Sequence, residues 1–416
     1  MRRSGTGVLS RLLGATTLVL FALPAHGVAA GLGVTSWPMF QHDLQHTGQA
    51  QVLGPSAATL HWRQRGPGKY KGSPAIGADG TVYAGVGFTP ICAFDPDSGT
   101  KKWCSKRSGD VSHSVPAPAI AADGTVYLGA RDNRLWSIDG GTGATHWSYL
   151  VRTDGDVTGS PAIAPDGTVF TTSACPTAIC PFTTIPAGDG LVLAIHPDGT
   201  LLWQAAIFGV FNASPALSHD AGTVYIATKD GALHALSAAG DGHGNGVELW
   251  SASVGTSAPI RFTPTRERVS SPVVAADGTI YVGAVGGVWA VRASDGNVLW
   301  SFATAEGIVL STPALDAAGN LYFGTTGKTF YKIDSATHTA VWQRTGLDAF
   351  QSSPALDSAG NVYVGSGKQV LALDGQSGAT RWSFSTTRAV ISSPALGANH
   401  LLYISGQDGY IYAIGP

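Results

Sequence analysis

The sequence predicts an all-β protein, an eight-bladed β-propeller of four-stranded antiparallel blades whose ring is closed by an N-terminal strand joining the last blade. Three observations predict it. A small residue followed by proline recurs at Pro74, Pro118, Pro161, Pro215, Pro272, Pro313, Pro354 and Pro394, in steps of 40 to 57 residues. Tryptophan recurs with nearly the same period, at Trp62, Trp103, Trp147, Trp203, Trp250, Trp300, Trp342 and Trp382. The two series are offset: the first tryptophan precedes the first proline, and the last proline unit ends without a tryptophan. A strand at Trp62 therefore completes the blade begun at Pro394, which pairs the two chain ends and removes exposed sheet edges.

Taken from the N-terminus, residues 1–30 read as a signal peptide. Arg2, Arg3 and Arg11 give the positive region, LLGATTLVLFALP the apolar core, and Val28-Ala29-Ala30 small residues for cleavage, with Ala25-His26-Gly27 as a second choice. The apolar run is short for a membrane span, and no later segment resembles a transmembrane one. Residues 31–58 form a lead segment, and residues 59–416 form the propeller. Each unit of the propeller opens on its small-residue–proline step. A tight Asp-Gly or Gly-Asn turn and an alternating strand follow, as in ADGTVYAG from Ala78 and AGNVYVG from Ala359. A third strand, a glycine turn and a strand reaching tryptophan complete the blade, as in AFDPDSGTKKW from Ala93 and ALDGQSGATRW from Ala372.

Composition agrees with this reading. The chain has 55 glycines, 11 tryptophans and only two methionines, and 12% of its residues are charged. That composition disfavours a helical protein and favours short strands joined by turns. A formal net charge of −2 gives no electrostatic reason to expect a nucleic-acid partner. With 44% apolar residues and no long charge blocks, disorder is disfavoured too.

The pattern A-x-D-x-x-x-G-x-x-x-W stands intact at Ala93, Asp95, Gly99 and Trp103, and at Ala372, Asp374, Gly378 and Trp382. Ser137, Asp139, Gly143 and Trp147 carry it with one change. Elsewhere Arg292 or Ser237 replaces the aspartate, and the third unit is one residue short. This pattern resembles the tryptophan-docking motif of the quinoprotein-type eight-bladed propellers, and WPMFQHDLQHTGQ from Trp37 is similar to the segment that precedes the first blade there. The resemblance implies tryptophans packed between neighbouring blades. It also implies one of two functional branches: dehydrogenases dependent on pyrroloquinoline quinone (PQQ) and calcium, or a non-catalytic branch typified by an outer-membrane assembly factor. The chain lacks the adjacent cysteine pair of several such enzymes, a Cys-x-x-Cys-His haem motif, and long insertions for a lid. It also lacks the lipid-attachment cysteine of the second branch.

The expectation is an exported binding or scaffold propeller, secreted or periplasmic and monomeric, with a protein partner or an extracellular ligand. No cofactor is expected. The alternatives are a PQQ- and calcium-dependent dehydrogenase and a propeller that binds carbohydrate or another small molecule. In such propellers the residues before each Ser-Pro step lie near the mouth of the central channel. Those positions give Tyr70, Lys71, His113, Asp156, Asn212, Arg268, Glu306, Asp348 and Gln351 as candidates for a ligand funnel or as solvated loop residues. Among them and beside them, Asp156, Glu267, Glu306 and Asp348 are the carboxylates available to a calcium ion. No metal-spaced histidines, nucleophile elbow or phosphate loop stands out.

The four cysteines suit an oxidising compartment. Cys92 and Cys104 flank the turn DPDSGT symmetrically and should face each other across a hairpin, within reach of a disulfide. Cys175 and Cys180 share the loop CPTAIC and are the expected second bridge.

Overall fold

A computed structural model describes Met1 and residues 31–66, 72–86, 89–105, 116–130, 132–151, 156–174, 189–210, 212–255 and 269–416. Residues 2–30 of the expected signal peptide, and Tyr70, Lys71, His113, Arg268, Glu267, Cys175 and Cys180, lie outside the described residues.

Among the described residues the fold is all-β, eight antiparallel sheets set in a ring. Each blade begins on a two-residue innermost strand and ends on an exposed outermost one. From first to seventh, these pairs are Ala75–Ile76 and Lys101–Cys104, Ala119–Ile120 and Thr145–Leu150, Ala162–Ile163 and Leu201–Phe208, Ala216–Leu217 and Glu248–Ser253, Val273–Val274 and Val298–Ile308, Ala314–Leu315 and Thr339–Arg344, and Ala355–Leu356 and Thr380–Ser385. In the fifth blade the two middle strands run on as one segment, Thr279–Arg292, bent at Gly286 and Gly287. The eighth blade takes Ala395–Leu396, Leu402–Ser405 and Tyr410–Gly415 from the C-terminus and Thr59–Arg65 from the N-terminus. Trp62 lies opposite Ala413 and Arg65 opposite Tyr410, so the ring closes as the offset repeats require.

The core sits between blades, because each sheet buries both faces against its neighbours. Second strands are accordingly continuous apolar runs, such as Leu321–Gly324 and Val362–Ser366, buried throughout. The repeated tryptophans span the interfaces. The Trp62 indole donates to Pro96 O at 2.8 Å, Trp103 to Gly140 O at 3.0 Å, Trp147 to Pro197 O at 2.7 Å and Trp203 to Ala238 O at 2.7 Å. Trp250 donates to Ala293 O at 2.9 Å, Trp342 to Gly375 O at 3.1 Å, and Trp382 to Pro55 O at 3.0 Å, a residue of the lead segment. In each of these pairs the acceptor lies on the following blade or on the segment entering it, which satisfies the indole N–H while burying its ring.

The docking glycine is required by two constraints at once. Gly378 has φ +72°, and a Cβ there would sit 2.7 Å from the Trp342 ring. One joint departs from the pattern. His338 takes the glycine's place at φ +58° and stacks on Trp300, with centroids 4.3 Å apart and planes 22° apart. In the same repeat Lys332 replaces the motif's alanine and reaches across to Gly375 O at 3.1 Å.

Every outermost strand carries a bulge at the residue before its tryptophan. Phe94 pairs Lys101 while Ala93 pairs Trp103, leaving Lys102 out of register, and the other seven blades repeat the irregularity. Bulges twist an edge away from further pairing, a protection a ring of open edges needs. Cys92 and Cys104 are direct partners in the first blade, with Cα atoms 4.0 Å apart, and form a disulfide.

Candidate functional site

The lead segment fixes which end of the channel is open. Starting at residue 31 it crosses the base of the ring and touches every blade. Gly31 O accepts from Ala122 N, Gly33 N donates to Ile120 O, and Trp37 O accepts from Ile76 N, at 2.8–2.9 Å. After a turn at the centre, Leu44 O, Gln45 O, Thr47 O and Gly48 O accept from the amides of Leu217, Val274, Leu315 and Leu356, at 2.7–2.8 Å. Met39 joins the core cluster of the third blade, Gly31 lies against Ala164 and Pro165 of that blade, and Leu53 O accepts from the His400 ring of the eighth at 3.2 Å. The innermost strands are only two residues long, so their terminal amides need partners from outside the blade, and the lead segment supplies them. The central turn is tight: Gln41, His42 and His46 all have positive φ.

This turn also carries two fully buried polar side chains, Gln41 and His46, beside the partly buried Asp43. His46 Nδ1 donates to Pro272 O at 3.0 Å. Burial pushes the His46 ring down to about 4, against a smaller opposing effect of that hydrogen bond, so the ring is neutral near pH 7. Burial alone would raise Asp43, but hydrogen bonds and charge from His42 and hydrogen bonds from Thr47 hold it below the ordinary carboxylate value.

Above the turn lies a blind central cavity of about 200 Å³, with Phe40 of the lead segment in its lining. Its wall is built from the residues that precede the repeated prolines. Ser160 N donates to Ser214 Oγ, Ser214 N to Ser271 Oγ and Ser353 N to Ser393 Oγ, each at 3.1 Å. Ala117 N donates to Ser160 Oγ at 3.1 Å, Thr312 N to Ser353 Oγ at 3.0 Å and Ser393 N to Ser73 Oγ at 2.8 Å. Each bond ties one blade to the next, so these serines hold the inner ring together and are engaged as acceptors. Ala117 breaks the series because it has no hydroxyl to accept from the first blade.

Of the sequence candidates, Asn212 and Gln351 line this cavity. Asn212 has φ +52°, and its amide donates to Thr158 Oγ1 at 3.2 Å. The three carboxylates stand elsewhere. Asp156 begins a short strand opposite Ala174. Glu306 is exposed on the outermost strand of the fifth blade. Asp348 packs over Gly367 while its amide donates to Ser366 Oγ at 3.1 Å. Sequence reasoning did not find the hydroxyl ring or the floor at Phe40. The signals were the Ser-Pro repeat itself and the WPMFQHDLQHTGQ segment.

A family model described as outer membrane protein assembly factor BamB matches residues 26–180, 188–327 and 242–415. The chain belongs to this family. No curated protein matches it in sequence. Among solved structures, the chain is similar to a europium-containing methanol dehydrogenase at TM-score 0.71 and 12% identity, covering 90% of this chain and 91% of the other. It is similar to quinohemoprotein alcohol dehydrogenase from Comamonas testosteroni at TM-score 0.69 and 13% identity, covering 91% and 81%. BamB from Moraxella catarrhalis aligns at TM-score 0.61 and 18% identity, covering 86% and 100%. At these identities the likeness is one of fold, and it spans both functional branches.

The donor set can be tested against the cofactor of the dehydrogenase branch. PQQ is a tricarboxylate, and calcium takes six to eight oxygens, carboxylates prominent among them. The described cavity lining is serine, threonine, asparagine, glutamine and apolar residues, with no charged side chain. No group of three or more His, Cys, Asp or Glu side chains converges among the described residues. These described residues do not fit the pair.

Proposed function

We propose that this BamB-family propeller is an exported binding module that holds a protein partner on the loops around its open mouth. One observation carries the reading: the two longest insertions in the repeat both connect strand ends at that mouth. The residues that flank them, Ala174 and Asp189 in the third blade and Ser253 and Val269 between the fourth and fifth, stand on the face opposite the lead segment. In repeat folds, insertions gathered on one face mark the binding face, and loops on a rigid scaffold carry recognition. The Cys92–Cys104 disulfide supports an oxidising compartment, the cell envelope or the exterior.

A second reading is favoured by the cavity itself. Its uncharged hydrogen-bonding wall, with Asn212 and Gln351 at hand, suits a neutral polyhydroxylated ligand such as a sugar. Purification from the native host, with an absorption spectrum and mass spectrometry of what co-purifies, separates the readings. A reproducible protein partner supports the first and a bound saccharide the second. Dye-linked oxidation of alcohols or aldoses after addition of PQQ and calcium overturns both in favour of the dehydrogenase.

A further inference from the structure

The eight bulge positions on the outer wall divide the ring in two. In blades three to six they hold Leu202, Leu249, Leu299 and Val341; in blades seven, eight, one and two they hold Arg381, His61, Lys102 and His146. Three of the four basic residues have a carboxylate in their own blade: Lys102 with Asp79 at 3.3 Å, Arg381 with Asp374 at 3.6 Å and His146 with Asp139 at 4.0 Å.

Two further cations on this half are different. Arg63 and Arg65 lie two residues apart on the ring-closing strand, and neither has a carboxylate within ion-pair distance among the described residues. Both are exposed and both lie over the Tyr410 ring, their guanidinium carbons 4.9 and 6.0 Å from its centroid. Tyr410 and Tyr412 stand directly opposite Arg65 and Arg63 on the inner side. On the outer side the strand is the open edge of its sheet.

We propose that the outer edge of the ring-closing strand past its bulge at His61, Trp62–Arg65, where the register runs unbroken, docks an extended acidic segment of a partner protein, whose alternate carboxylates meet Arg63 and Arg65. Alternate residues of a strand share a face and repeat every two positions, so the spacing of the two guanidiniums is that of two side chains on an added strand. Stacking on Tyr410 holds the guanidiniums in place before binding, and opposite charges directly across a strand pair attract. A bilayer or nucleic acid responds to spread net charge. Here Lys102 and Arg381 at the neighbouring bulges are already paired with their own aspartates, which favours a short acidic strand. This surface is separate from the mouth and does not depend on the reading given to it.

The test uses the full mature chain and two terminally blocked fluorescent peptides, one with two glutamates at alternate positions and its isomer with them adjacent, followed by anisotropy at low salt. The alternating peptide is expected to bind saturably, and about tenfold more weakly to Arg63→Gln/Arg65→Gln, the loss of two exposed charge pairs. Arg63→Glu/Arg65→Glu is expected to bind the corresponding alternating lysine peptide instead. Should the glutamine variant fail to fold, Arg63→Lys/Arg65→Lys keeps the charge and is expected to bind a few-fold more weakly through loss of stacking. Absence of saturable binding, equal binding of the isomer, affinity unchanged in these variants, or binding to phosphatidylserine vesicles that the peptide does not compete would each overturn the proposal.

Discussion

The two ends of the central channel are built on different terms. At the base, amides of the innermost strands are answered by carbonyls of a lead segment that visits all eight blades, and the turn below Phe40 buries His46 and Gln41 completely. At the mouth, strand ends open into the longest insertions, and candidates such as Gln351 and Asp348 are exposed. The same ring thus spends one face on holding its blades together and leaves the other to vary. Residues at the base should matter for folding and hardly at all for recognition, and residues at the mouth the reverse.

The largest expected break comes from the base. Deleting residues 31–58 while keeping the closing strand removes partners for backbone groups on nearly every blade, and the chain is expected to aggregate or lose most of its cooperative melting transition. A deletion that melts like the full chain would show that the lead segment is a passenger. Next in size is an interblade joint. Trp203 is fully buried and bonded to the following blade, and Trp203→Ala is expected to cost about 3–5 kcal/mol in denaturant unfolding. A comparable truncation at the mouth, Gln351→Ala, is expected to stay within about 0.5 kcal/mol.

An acid titration sharpens the contrast, because His46 belongs to the base. Its folded value, about 4, lies below the ordinary 6.5. Above pH 6.5 both states are neutral there and its contribution is complete. Between 6.5 and 4 the unfolded chain takes a proton that the folded chain refuses, so stability falls as pH falls, by about 3 kcal/mol in all. Asp43, held low, adds a loss in the same direction only below its ordinary value of 3.8. His46→Gln is expected to flatten the melting-temperature profile between pH 6.5 and 4.5; an unchanged slope would assign the acid sensitivity elsewhere. A smaller effect is expected from the disulfide, which closes a separation of only 12 residues within one hairpin. Cys92→Ser/Cys104→Ser should cost about 2–3 kcal/mol without disturbing other blades.

Much of this architecture was legible in the sequence because a propeller repeats its physics. The Ser-Pro step, the tight turn and the docking tryptophan each recur, and the offset of Trp62 from Pro74 implied the closure seen between Trp62 and Ala413. The Cys92–Cys104 pairing followed from hairpin symmetry for the same reason. What was not legible depended on single exceptions and on contacts between distant segments. His338 fills a glycine's place by stacking on Trp300, which no local pattern announces. The carbonyls at Leu44, Gln45, Thr47 and Gly48 meet strands roughly 170 to 310 residues away, and backbone partners leave no side-chain signature. The candidate carboxylates Asp156, Glu306 and Asp348 share only a position in the repeat. That position sets the end of the blade on which a residue lies, not where its side chain points.

Native-state hydrogen exchange tests the division between sealed base and open mouth most directly. The amides of Ile76, Leu217, Val274, Leu315 and Leu356, bonded to the lead segment, are expected to exchange only with global unfolding. The exposed mouth residues Asp348 and Gln351 are expected to exchange by local opening and to gain protection when a partner or ligand binds. Fast exchange at the five base amides, or protection gained there and not at the mouth on binding, would contradict the account.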